Sequence, residues 1–335
     1  MAQNHSSSVR RFFVVALIAA AAVGTVSIPV VAEAQAPAKL MSQVPGYYRM
    51  ALGGIEVTAL YDGHVSLNPG ILKGASQETI QDLLARMFVP LSSDGVQTAV
   101  NGFLINTGKN LILVDAGAAK CFGPTLGAIT GNIRAAGYEA DQIDTVLLTH
   151  LHGDHACGLS ADGKAAFPNA TVYVAQEEAA FWLNPDVAAK APADAQPFFK
   201  MAQASVAPYV AAGKLKKFKA GNAVMPGVVS VPLHGHTPGH GGYLFGSEQQ
   251  KLLIWGDVIH SHAVQFSHPE VSIEFDVDQP QAVASRKKVL EQASGEKLWI
   301  AGAHLPFPGL GHVRRDAAGY AWVPAEYSPL PKAAK

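Results

Sequence analysis

Residues Thr145-Val146-Leu147-Leu148-Thr149-His150-Leu151-His152-Gly153-Asp154-His155 place four metal-ligating side chains within six positions, directly behind a short apolar run. Two imidazoles one residue apart, then a carboxylate and a third imidazole, can splay from a strand-end turn toward two neighbouring cations. Solvated loop histidines are the plain alternative. Against it stands a series of further spaced ligands downstream.

Leu233-His234-Gly235-His236-Thr237-Pro238-Gly239-His240 follows a strand-like run and is tight with Gly and Pro, a setting that fixes one of its three histidines as a ligand. Leu253-Ile254-Trp255-Gly256-Asp257 delivers a carboxylate at the end of an apolar strand, and Ala301-Gly302-Ala303-His304 delivers one more imidazole. Each alone is weak, since a strand-terminal Asp commonly serves turn chemistry and a lone His is commonly a satisfied polar group. Together with the first cluster they suffice for two metals bridged by a carboxylate.

The chain around this set is globular. Its 335 residues are 49% hydrophobic and 15% charged, and the formal net charge of -1 leaves no footprint for nucleic acid. The short basic patch from Lys214 to Lys219 reads as a solvated face. At the N-terminus, Arg10-Arg11 precede an apolar run from Phe12 to Val23 and the small-residue pattern Ala32-Glu33-Ala34, so residues 1–34 are expected to be an export signal cleaved after Ala34. Ser8-Val9-Arg10-Arg11-Phe12-Phe13 is a partial twin-arginine pattern, and both general and folded-state export fit it. The mature protein is then expected in the periplasm or secreted, off the membrane once the signal is removed. Cys121 and Cys157 make no disulfide framework and are expected to be buried structural thiols, although an oxidising compartment permits one bridge.

Past the signal, apolar strand-like runs alternate with amphipathic segments. Strands are predicted at Ile55–Leu60, Phe103–Asn106, Leu111–Val114, Thr145–Leu148 and Thr171–Ala175, then at Val228–Val231, Gly242–Phe245, Lys251–Trp255 and Leu298–Ala301. Helices are predicted at Ile80–Met87, Pro124–Ala136, Gln176–Trp182, Phe199–Ala212 and Gln281–Gln292. Two strand groups separated by helices predict an α/β fold with helix, sheet, sheet and helix in layers, an αββα sandwich of two mixed sheets whose ligand loops share one edge. One domain over residues 35–335 is the economical division.

These motifs make the chain similar to the metallo-β-lactamase-fold superfamily of metallohydrolases. The H-x-H-x-D-H signature stands as His150, His152, Asp154 and His155, followed by Gly235 to Gly239 as G-H-T-P-G, by Gly256-Asp257 and by His304, with Val114-Asp115-Ala116-Gly117 earlier in the chain. The resemblance implies that His150, His152 and His236 hold one metal, that Asp154, His155 and His304 hold the other, and that Asp257 bridges. It implies that Asp115 orients the cluster by hydrogen bonding from behind. Within the superfamily, Pro45 to Met50, Phe122 to Gly127 and Ala303 to Gly309 resemble methyl parathion hydrolase and its lactonase and arylesterase relatives. Those relatives line the pocket with three aromatics, matched here by Phe122, Trp182 and Phe199, and they are often dimers, so a homodimer with Tyr320–Pro324 at a subunit contact is an expectation.

Departures from the organophosphate-hydrolysing relatives are His260, Ile273 and Phe275. His260 stands three residues after Asp257, where it could polarise a carbonyl or protonate a leaving alkoxide. The bulk of Phe275 and His260 disfavours a phosphotriester, whose tetrahedral centre needs more room than a planar ester. The expected chemistry is therefore attack by a hydroxide bridging two divalent cations, most naturally Zn2+, on a lactone or aryl ester, with Asp257 orienting the hydroxide and organophosphate turnover promiscuous or, alternatively, the main activity. A β-lactamase would generally lack the carboxylate Asp257, and a non-catalytic binding protein would be expected to have lost a ligand.

Overall fold

Alternation along Leu111-Ile112-Leu113-Val114 explains the layering of the protein. Leu111 and Leu113 pack into one apolar core with the helices Ile129–Ala135, Gln176–Trp182 and Gln196–Ala211, while Ile112 and Val114 enter a second core between two sheets. A strand buried on both faces has no polar side, so it reads as an unbroken apolar run. The same division recurs in the second sheet: Leu252 and Ile254 face the inter-sheet core, while Leu253 and Trp255 face the long helix Gln279–Gly295 through Val289, Leu290 and Ala293.

The computed structural model describes residues 36–330; the export signal expected at residues 1–34 lies outside them. Residues from Gln43 onward form one compact unit. Its first sheet runs in the order Tyr47–Leu52, Ile55–Leu67, Gly95–Asn106, Leu111–Val114, Thr145–Leu147, Thr171–Ala175, Leu215–Phe218, with Leu91–Ser92 beside the third strand. The last four of that order pair in parallel, and the rest are antiparallel. The second sheet runs Ala223–Met225, Val228–Pro232, Gly241–Ser247, Gln250–Ile254, Trp299–Ala301, Leu310–Arg315, Tyr320–Pro324, parallel only where the fourth meets the fifth. Helix, sheet, sheet and helix thus stack as an αββα sandwich of two mixed sheets. Among the described residues, no helix is long and apolar enough to cross a membrane.

Several expectations need correction. The helix predicted from Pro124 begins at Ile129, because the Asp62 carboxylate accepts the backbone N–H groups of Ala118 (2.9 Å) and Ile129 (3.1 Å) and holds the intervening residues as a loop. Tyr320–Pro324 is the edge strand of the second sheet, with Tyr320 and Trp322 packed on its helix-side core. Cys121 and Cys157 are not free thiols; they form a disulfide. The basic patch contributes Lys216 and Lys217, both exposed, to the edge strand Leu215–Phe218, where charge discourages pairing with another chain.

Candidate metal centre

Every ligand-like residue of the sequence reading follows the C-terminal end of a strand. Asp115 follows Leu111–Val114, the cluster from His150 to His155 follows Thr145–Leu147, His236 follows Val228–Pro232, Asp257 follows Gln250–Ile254, and His304 follows Trp299–Ala301. Strand ends at one edge of an α/β layer leave loops free to present side chains without disturbing the ladder.

The structure brings these side chains together. Candidate ligand atoms of His150, His152, His236 and Asp257 lie within 4.8 Å of one another, as do those of Asp154, His155 and His304, and those of Asp257, His260 and His304. Asp257 sits between the groups: its Oδ1 is 3.0 Å from His155 Nε2, and its Oδ2 is 3.2 Å from the Nε2 atoms of His236, His260 and His304. Of the histidines, His236 Nε2 also lies 3.0 Å from His152 Nδ1.

Behind the cluster, acceptors hold the opposite ring nitrogens. His155 Nδ1 is 2.8 Å from Asp115 Oδ2, His236 Nδ1 is 2.9 Å from Asp276 Oδ1, and His304 Nδ1 is 2.9 Å from the Ala99 carbonyl oxygen. A ring whose Nδ1–H is engaged in this way turns the lone pair of Nε2 inward, which is how proteins orient metal-binding imidazoles. Asp115 also accepts the backbone N–H and hydroxyl of Thr149, at 2.9 and 2.8 Å, so one carboxylate braces the start and the end of the His150–His155 cluster.

The charge balance is tight. Burial alone would lower His155 and His236, yet carboxylates overcome it: Asp257, Asp154 and Asp115 hold His155 well above its ordinary value, and Asp257 and Asp276 push His236 up to about 9. Burial lowers His150 well below the ordinary range and takes His152 down to about 3. Burial would raise the Asp257 carboxyl, but His155, His304, His150 and His260 hold it well below the usual carboxylate range. Three inward atoms, His150 Nε2, His155 Nε2 and Asp257 Oδ1, are buried without a hydrogen-bond partner. Buried polar atoms rarely remain unpaired, and these belong to the donor types that bind divalent cations. The His and Asp groups therefore suit a site for two metal ions.

The predicted pocket residues divide. A cavity of about 890 Å3 opens beside the cluster, lined by His260, His304 and Ile273 together with Leu72, Leu84 and Val96. Phe122, Trp182 and Phe199 are not among the residues that line this cavity. Trp182 and Phe199 are buried in the helix-side core with ring centroids 4.6 Å apart, the Trp182 ring lies 5.3 Å from that of His152, and Phe122 lies half-exposed beside Gly153. Phe275 is 44% exposed with its ring 6.4 Å from that of His260. His260, predicted as catalytic, is buried, and burial brings it down to about 4.

Sequence reasoning missed four contributors. Asp276 orients His236, and buried Arg286 supports that region by donating from Nε to the Val258 carbonyl (2.7 Å) and from Nη1 to the Val271 carbonyl (2.7 Å). His240 accepts the Asp257 N–H at 2.9 Å and so fixes the backbone of that carboxylate. Glu178 is fully buried against two ligand turns. The signal for Glu178 was a carboxylate in the first turn of a helix otherwise read for its apolar face.

Comparison with known proteins agrees with this geometry. Residues 95–304 match the family model described as the metallo-beta-lactamase superfamily. A crystal structure of the hydrolase AbOPH in the beta lactamase superfamily is 42% identical, covers 86% of this chain and 100% of its own, and superposes with a TM-score of 0.83. AidC, a dizinc quorum-quenching lactonase solved with the product N-hexanoyl-L-homoserine, is 28% identical over 85% of this chain and 99% of its own, with a TM-score of 0.77. The uncharacterized protein YobT of Bacillus subtilis (strain 168) is 25% identical over 158 residues, and the match spans 47% of this chain and 61% of that protein.

Proposed function

Because the chain belongs to the metallo-beta-lactamase superfamily, we propose that it is a dimetal hydrolase acting on lactones and aryl esters. The observation that carries this reading is the convergence of His150, His152, His236 and Asp257, and of Asp154, His155 and His304, with His150 Nε2, His155 Nε2 and Asp257 Oδ1 buried and in no hydrogen bond. In it, His150, His152, His236 and Asp257 hold one divalent cation, and Asp154, His155 and His304 hold a second beside the shared Asp257. Imidazole and carboxylate donors without thiolate suit zinc, and the similar AidC is a dizinc enzyme. When bound, such ions supply Lewis acidity toward a carbonyl and a source of hydroxide near neutral pH.

The chain's own residues do the rest. Asp257, held by its backbone bond to His240, orients the attacking water. His260, neutral at pH 7 and 3.2 Å from Asp257 Oδ2, lines the cavity where a substrate oxygen would lie and acts there as a hydrogen-bonding group. Leu72, Leu84, Val96 and Ile273 give the cavity an apolar wall, which favours an uncharged ester over a charged substrate. The Cys121–Cys157 disulfide supports the exported location read from the N-terminus, since such bonds persist in oxidising compartments.

The test is kcat/KM of the zinc-loaded protein for dihydrocoumarin, an acyl-homoserine lactone, an aryl ester, methyl parathion and a cephalosporin. Lactone or aryl ester turnover should exceed the others, and Asp257→Asn should reduce it by roughly 1,000-fold, about 4 kcal/mol of transition-state stabilisation. Methyl parathion as the best substrate would overturn the substrate assignment, and activity on none of the five would overturn the hydrolase reading.

A further inference from the structure

Glu178, in the helix Gln176–Trp182, is a fully buried carboxylate that forms no ion pair among the described residues. A charge so placed is costly unless its lone pairs are satisfied. Here they are satisfied by two separate turns. Leu151 N–H donates to Oε1 at 2.9 Å, while the Thr237 hydroxyl and the Gly239 N–H donate to Oε2 at 2.7 and 2.9 Å. Leu151 stands between His150 and His152, and Thr237 directly follows His236. The fit is close on the backbone side as well: a Cβ at Gly239 would come within 2.2 Å of the Glu178 backbone nitrogen.

We propose that Glu178 is a positioning residue whose carboxylate straps the His150–His152 turn of the first sheet to the His236 turn of the second, and so preorganises one half of the metal site. The inference rests on the dimetal reading given above. The two turns are the ones that bring His152 Nδ1 and His236 Nε2 to 3.0 Å. They have no common strand ladder, because Thr145–Leu147 and Val228–Pro232 belong to different sheets. Two other bonds join the sheets nearby, Gly241 N–H to the Thr149 carbonyl (3.0 Å) and Tyr243 hydroxyl to the Leu148 carbonyl (2.6 Å). The fold therefore has supports that survive loss of the carboxylate, whereas the placement of His236 against His152 depends on it. A glutamine cannot replace it: whichever way the amide turns, its NH2 faces a backbone N–H, of Leu151 or of Gly239.

The experiment titrates zinc into the metal-free full chain against a chromophoric chelator, for wild type, Glu178→Gln and Thr237→Val, with cobalt(II) absorption distinguishing the two sites. Glu178→Gln should weaken one site by about 10- to 100-fold and leave the other at its wild-type affinity. Thr237→Val, which removes one of three donors and serves where the glutamine variant does not fold, should weaken the same site by up to about tenfold. Unchanged affinities with only a lowered Tm, or equal weakening of both sites, would overturn the positioning role while leaving the hydrolase reading intact. A wild-type chain that binds no divalent metal would instead sink the hydrolase reading, and this inference with it.

Discussion

The two halves of the metal centre are built in different ways. The half around His150 to His155 is compact in sequence, rests on Asp115, and is closed covalently by Cys121–Cys157. Around that disulfide, Ala116 N–H donates to the His155 carbonyl at 2.7 Å and Gly158 N–H to the Gly117 carbonyl at 2.9 Å, so the loop carrying Asp115 and the helix Gly153–Ala156 are clamped on each other. The half around His236, Asp257 and His304 has no such clamp. Asp276, His240 and Arg286 hold it through hydrogen bonds that reach across the second sheet and its helix. One half is ordered by short chain separation and a covalent bond, the other by buried polar contacts that exist only once the sheet has formed.

Breaking the covalent clamp should have the largest effect on stability. Reduction by a dithiol releases a loop closed over a sequence separation of 36 and should lower unfolding free energy by about 4 kcal/mol, measured by urea titration. Native-state hydrogen exchange should then quicken at the Ala116 and Gly158 amides and stay unchanged at the Asp257 amide. Equal quickening in both halves would erase the contrast.

The two orienting carboxylates sharpen it at the level of metal. Asp115→Asn and Asp276→Asn should each weaken zinc by about 10- to 100-fold, or roughly 1.4 to 2.7 kcal/mol, but at different sites, the first where Asp154, His155 and His304 meet and the second where His150, His152 and His236 meet. Loss at a single shared site in both variants would show that the halves do not act separately.

A pH-dependent effect, negligible near neutrality, concerns His240 in the metal-free protein. Burial, and then the charge on His236, takes His240 down to about 3, below the 6.5 expected when unfolded. The unfolded chain therefore takes the proton first, and the contribution present above about pH 6.5 is lost as pH falls toward 3, with a slope of about 1.4 kcal/mol per pH unit. His240→Gln retains an acceptor for the Asp257 N–H and should remove that slope from the difference between wild type and variant. A difference that does not change with pH would refute the assignment.

Legibility in the sequence followed the same contrast. The run Thr145 to His155 announced a metal turn because its ligands are adjacent, and Leu111–Val114 announced a strand buried on both sides because no polar residue interrupts it. Asp257 and His304 were legible as strand-end residues that complete a two-metal set, and the resemblance to a known family assigned each to its site. Asp276 carried no pattern and Glu178 only a place in the first turn of a helix, and a lone carboxylate there reads the same whether it favours the helix or braces a ligand. Aromatic character likewise says that Trp182 and Phe199 are buried, and it does not say whether against a substrate or against each other.

Sequence alone determined the ligand types, the strand ends that carry them and the two-sheet layering, because those depend on local periodicity and on the chemistry of each side chain. Tertiary structure decided which acceptors turn the imidazoles inward, that Cys121 meets Cys157, and which side chains line the cavity. These are contacts between residues far apart in the chain, and their energies appear only when the two sheets close on one another and exclude water.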